Sequence, residues 1–100
     1  MPYINQETRQ ELDEAIETMV EFITHGNDLS DYELLQIAGE LNYIFSRIIA
    51  GCMGKVSYSK IAIITGLMEN MKQEFYRRIA STHEDRAILN NGDIKEYRKV

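Results

Sequence analysis

Arg77 and Arg78 stand side by side, Tyr76 precedes them and Lys72 lies one helical turn earlier, in a chain whose formal net charge is −5. Guanidinium groups hold phosphate and carboxylate oxygens as forks, and a tyrosine ring stacks on a base, so this group suits capture of a small anionic ligand. At about 100° per residue, Thr65, Glu69, Lys72 and Tyr76 fall within about 60° of one another beside an apolar seam, and His83 joins them if the helix runs on unbroken. Arg77 and Arg78 themselves point about 100° apart, so one helix aims both at a single phosphate only if their stems bend or a second subunit completes the site. Upstream, Asn42 lies at the margin of an apolar helix face with Ser46 one turn on, while Tyr43 and Arg47 lie opposite. Asn is a poor helix former, so its place there implies a specific hydrogen bond, either a structural one to a neighbouring helix or one lining a polar pocket between helices. The candidate ligand-binding set is therefore Asn42, Tyr43, Arg47, Glu69, Lys72, Tyr76, Arg77 and Arg78. The structural alternative makes Glu69 and Lys72 a surface ion pair and the basic stretch a complement to acidic helices.

Catalytic chemistry finds little support, and no enzyme is expected. His25 and His83 lack a second His or Cys at three- or four-residue spacing, so no metal site is expected. No glycine-rich phosphate loop is present, and no cofactor is implied. His83, Glu84 and Asp85 are consecutive, so on a helix they diverge by about 100° each and cannot converge on one reacting atom. Cys52 falls on an apolar helix face, where a thiol reads as a small buried hydrophobe.

The elements that position these residues read as helices. Leu12, Ile16, Met19, Val20 and Ile23 form one helical stripe, and Gly26 supplies a left-handed stop. Ser30 and Glu33 have the capping-box spacing and start a second helix, whose apolar face from Leu34 to Cys52 covers close to half the circumference. Ser57 caps a third helix carrying the near-heptad seam Ile61, Ile64, Met68, Met71, Phe75 and Ile79. Thr82 and Asp85 either restart a short fourth helix or ride on the third, and "NNGD" (Asn90 to Asp93) ends the helical run. The expectation is an all-α fold, a three-helix antiparallel bundle with long second and third helices and a short C-terminal extension. It forms one domain over residues 1–100, with helices near 6–25, 31–53 and 57–81, an optional helix at 83–90 and a docked or mobile tail at 91–100.

A chain of 100 residues, 44% hydrophobic, is the size of one domain with a small core. Its one cysteine excludes an intramolecular disulfide, the start lacks a signal-peptide pattern, and no run reaches the roughly 18 apolar residues of a membrane span. A soluble cytoplasmic protein with no membrane partner is expected. The charge is unevenly spread: residues 1–28 hold seven acids and one base for −6, and residues 55–80 hold five bases and two acids for +3. An acidic first helix thus complements a basic third one, within a chain or between subunits. The wide face of helix two and the long seam of helix three offer more apolar edge than three helices need hide, which predicts a homo-oligomer.

A second reading takes Thr65-Gly66-Leu67 as the turn of a helix-turn-helix and Glu69 to Arg78 as its recognition helix, making residues 57–79 a DNA-binding regulator. Against it, Met68 stands where a polar cap belongs, the seam stays in phase through Gly66, and a whole-domain charge of −5 weakens phosphate binding without forbidding it. Nucleic acid is the less expected partner. A third reading is a purely structural oligomeric scaffold.

The combination "MPYI", "GELNYIFSR" (Gly39 to Arg47), "SYSKI" (Ser57 to Ile61), Gly66 with Glu69 and Lys72, "EFYRR" (Glu74 to Arg78), "ED" (Glu84, Asp85) and "NGD" (Asn91 to Asp93) resembles a family of small, uncharacterised helical proteins of bacteriophages and bacteria. His83 stands where that pattern has a tyrosine, and the tail after Asp93 is longer. The resemblance implies a phage-type accessory protein that acts by stoichiometric binding. It would sequester an anionic signalling nucleotide or block a host defence protein in the host cytoplasm, and its third helix would continue through Gly66.

Overall fold

The computed structural model describes residues 3–98; Met1 and Pro2 of the "MPYI" opening and Lys99 and Val100 of the tail lie outside the described residues. Every regular element among the described residues is helical. The chain divides into two units, Met1–Gly54 and Lys55–Val100.

In the first unit, α1 (Gln6–Thr24) starts at Asn5, whose side-chain oxygen accepts the Thr8 N–H at 2.9 Å. It ends at His25, which takes a left-handed φ of 53° and donates its N–H to the Glu21 carbonyl, with Gly26 following at φ 75°. The left-handed stop expected at Gly26 therefore begins one residue earlier, on a side chain without glycine's freedom. His25→Gly is expected to stabilise the protein by about 0.5–1 kcal/mol, seen as a higher urea midpoint at unchanged slope.

Ser30 forms the expected capping box: its hydroxyl accepts the Glu33 N–H, and the Glu33 carboxylate accepts the Ser30 N–H, both at 3.2 Å. The helix it starts does not run unbroken to residue 53. α2 (Asp31–Gln36) stops at Ile37, where φ −91° and ψ 3° interrupt the α ladder, and α3 (Ala38–Met53) resumes at once. A β-branched residue two positions before Gly39 is a weak point for helix propagation. The break costs little in hydrogen bonds, since Ile37 donates its N–H to the Glu33 carbonyl and accepts the Leu41 N–H. It also turns Ile37 into an apolar hollow of about 470 Å³, where Ile16, Val20 and Ile23 of α1 and Leu41, Ile44 and Ile48 of α3 form the wall. The hollow is open: Ile16 is 54% exposed, Val20 52% and Ile48 51%. Cys52, expected to be buried, is exposed as a free thiol.

In the second unit, Ser57 accepts the Lys60 N–H at 3.2 Å and caps α4 (Tyr58–Phe75). The turn required at Thr65-Gly66-Leu67 by a helix-turn-helix is not formed, since α4 continues through Gly66. The helix formers Leu67, Met68 and Glu69 follow on. A Cβ at Gly66 would meet nothing within 4 Å. Gly66→Ala is accordingly expected to stabilise the protein by about 1 kcal/mol, measured by chemical denaturation.

Past Phe75 the helix widens into a π-turn (Tyr76–Ala80) and continues as α5 (Ser81–Asn91), with helical dihedrals at both junctions. The third helix thus runs ten residues beyond its expected end at 81, and the optional helix rides on it. The ladder survives because the Ser81 N–H finds the Tyr76 carbonyl, five residues back. At 1.5 Å per residue, Tyr58 to Asn91 spans about 50 Å. Gly92, at φ 87°, ends the helix as "NNGD" predicts, its N–H on the Ile88 carbonyl. The described tail folds into a turn, with Tyr97 N–H bonded to the Ile94 carbonyl and Arg98 to the Asp93 carbonyl. No described residue of either unit is buried, and in the second the seam residues Met71, Phe75 and Ile79 are 53%, 65% and 57% exposed.

Candidate functional site

The basic cluster lies where α4 passes into the π-turn. Glu74 lies three residues before Arg77 and four before Arg78, the two spacings that meet on a helix surface. Arg77 Nη2 approaches Glu74 Oε1 at 2.7 Å, and Arg78 Nη1 approaches the same oxygen at 3.7 Å. The stems bend, as the divergent Cα–Cβ directions require, and two guanidiniums converge on one anionic oxygen without a second subunit. The arginine side chains remain 67% and 55% exposed, while that of Glu74 is only 27% exposed. The cluster is thus a carboxylate half-enclosed beneath two accessible cations.

An extra residue in the π-turn rotates everything after it by about 100° relative to a regular α-helix. His83 is carried off the stripe of Thr65, Glu69, Lys72 and Tyr76, contrary to the expectation for an unbroken α-helix. Glu84 arrives instead: the Tyr76 hydroxyl donates to its carboxylate at 3.3 Å, across a gap of eight residues. In a regular helix, eight residues leave two side chains about 80° apart; with one residue absorbed they stack as residues seven apart do. Glu74 is absent from the candidate set although its three- and four-residue spacing to the arginines was the signal for it, whereas Glu84 becomes legible only once the π-turn is known.

The other candidate residues take simpler partners. Glu69 does not pair with Lys72; its carboxylate accepts a hydrogen bond from the Gln73 amide at 3.1 Å. An i, i+4 amide on the same stripe outcompetes a lysine that is better solvated in water. In the first unit, Asn42 is exposed, and its side-chain oxygen accepts the Ser46 hydroxyl at 3.3 Å, a bond within α3 and not one to a neighbouring helix. Arg47 lies over the Tyr43 ring at 5.8 Å, a cation–π pair of the exposed, weak kind. The structure therefore joins Arg77 and Arg78 through Glu74, Tyr76 to Glu84, and Tyr43 to Arg47. Asn42, Tyr43 and Arg47 belong to Met1–Gly54, and the other five candidates to Lys55–Val100.

A second hollow of about 780 Å³ in the first unit has Glu11, Glu14, Thr18 and Phe22 on its wall, with Ala15, Met19 and Ile44 shared between the two hollows. Among the described residues, no group of three or more His, Cys, Asp or Glu is placed to hold a metal ion. Among them too, no helix is long and apolar enough to cross a membrane.

No curated protein and no solved structure matches the chain. A family model described as a domain of unknown function, DUF6899, matches residues 1–94. The match spans the arginine cluster, the capping box and both hollows, and the chain belongs to the DUF6899 family.

Proposed function

We propose that the protein is a non-enzymatic binding protein that captures a small phosphoryl anion stoichiometrically, with Arg77 and Arg78 as the principal contacts and Tyr76 and Lys72 beside them. The observation that carries this reading is the approach of both guanidiniums to a single oxygen of Glu74, on an exposed surface. What they do for an internal carboxylate they are built to do for a phosphate, with more oxygens to engage. A signalling nucleotide of the kind a phage-type accessory protein sequesters in the cytoplasm has this chemistry, and Tyr76 offers a ring for its base. The reading includes a homo-oligomer, supported by the open apolar hollow of the first unit, and keeps the three-helix antiparallel bundle as its scaffold. Calorimetric titration of inorganic pyrophosphate into wild type and into the Arg77→Ala/Arg78→Ala variant tests it, with binding expected for the first and lost for the second.

A second reading, capture of a basic host protein, is favoured by the hollow that sets Glu11 and Glu14 beside Phe22, an acidic rim around an aromatic anchor. Pull-down by a charge-reversed Glu11→Lys/Glu14→Lys variant separates it from anion capture, which those changes leave intact.

A further inference from the structure

We infer that Glu74 is a built-in competitor in the arginine site: its carboxylate holds the place of a phosphoryl oxygen, so the site admits multiply charged phosphoryl groups and rejects single carboxylates. The inference rests on the anion-capture reading and adds to it the class of anion selected.

Glu74 Oε1 is 2.7 Å from Arg77 and 3.7 Å from Arg78, so the point of convergence that a ligand oxygen needs is already filled. The competitor is tethered to the same helix, and a tethered group acts at a high effective concentration without losing translational freedom on binding. An incoming carboxylate exchanges like for like and loses its own translational freedom, so it displaces Glu74 only at high concentration. A phosphoryl dianion brings a second charge and further oxygens. Arg77 meets Glu74 through Nη2, and a ligand with two oxygens can engage a guanidinium through two nitrogens at once.

Displacement of Glu74 must also cost little. With the arginine side chains 67% and 55% exposed, the two pairs are of the weak, solvent-screened kind, so a dianion has little to overcome. Once Glu74 is displaced its charge still repels the ligand. Glu74 therefore lowers the affinity for every anion by about the same factor, which carries the weakest binders, single carboxylates, below measurable binding while phosphoryl dianions stay above it.

The test is titration of pyrophosphate and of acetate into wild type, Glu74→Gln, Glu74→Ala and Arg77→Ala/Arg78→Ala, with helicity followed by circular dichroism. Pyrophosphate affinity is expected to rise about tenfold in Glu74→Gln, the scale of one lost charge-assisted competitor, and acetate to bind measurably only when Glu74 is replaced. Glu74→Ala, with the stronger helix former, gives the same result if the glutamine variant loses helix. Equal or weaker pyrophosphate binding by both variants overturns the inference and makes Glu74 a positioning residue for the arginines. If wild type binds and the double arginine variant does not, that outcome leaves the capture reading standing. Absence of pyrophosphate binding in wild type and in both Glu74 variants overturns both.

Discussion

Arg77→Ala/Arg78→Ala is expected to lower pyrophosphate affinity at least about 100-fold while the protein keeps its helicity. The size follows from two charge-assisted hydrogen bonds worth about 1.5–3 kcal/mol each, where about 1.4 kcal/mol is tenfold in affinity. The retention of fold follows from the surroundings of the two side chains. Both are more than half exposed, and their pairs with Glu74 are worth a few tenths to about 1 kcal/mol. Alanine returns a comparable amount through helix propensity. Because both guanidiniums reach one oxygen, they act on one ligand group, and the single variants are expected to lose most of what the double variant loses. Arg77→Lys/Arg78→Lys keeps the charge but not the fork, and should recover only part of the affinity. A double variant that melts would assign the arginines to structural ion pairing. One that stays helical and binds pyrophosphate normally would remove the site.

What could be read from the residues was local. Ser30 with Glu33, Ser57 and Gly92 act through hydrogen bonds that span three or four residues, so their roles follow from spacing and side-chain chemistry alone. The continuity of α4 through Gly66 was legible for the same reason, because the seam keeps its phase and no cap interrupts it. The π-turn was not legible: a single residue absorbed between Tyr76 and Ala80 leaves no compositional mark, yet it replaces His83 by Glu84 beside Tyr76. Ile37 shows the same limit, since a break of one residue leaves the apolar stripe of helix two almost in phase. Periodicity marks which face of a helix is apolar but says nothing about what covers it. Cys52 lies on an apolar face, which by itself points to the interior, yet its thiol is exposed.

That uncovered face carries the second large effect: Ile44→Asp is expected to weaken self-association by about three orders of magnitude and leave a monomer. Ile44 belongs to the walls of both hollows of the first unit and is itself half-buried. Six apolar neighbours left about half exposed amount to roughly 500 Å² of contiguous apolar surface, the upper end of what stable monomers carry. The same area is a large part of the roughly 800 Å² that each partner contributes to a standard interface. A second copy covering the hollow would trap a new carboxylate away from water, at a cost of several kcal/mol that no basic side chain on the wall offsets. In a free chain the same carboxylate faces an open hollow, and the change costs at most about 0.7 kcal/mol in helix propensity and about 1 kcal/mol in lost apolar contact of the half-buried Ile44. The difference between these two costs is the signal. Gln10→Glu, which adds the same charge to the acidic α1, should leave association unchanged. Native mass spectrometry of wild type and both variants at equal concentration reads the subunit number directly, and a wild type that is already monomeric would end the self-association reading.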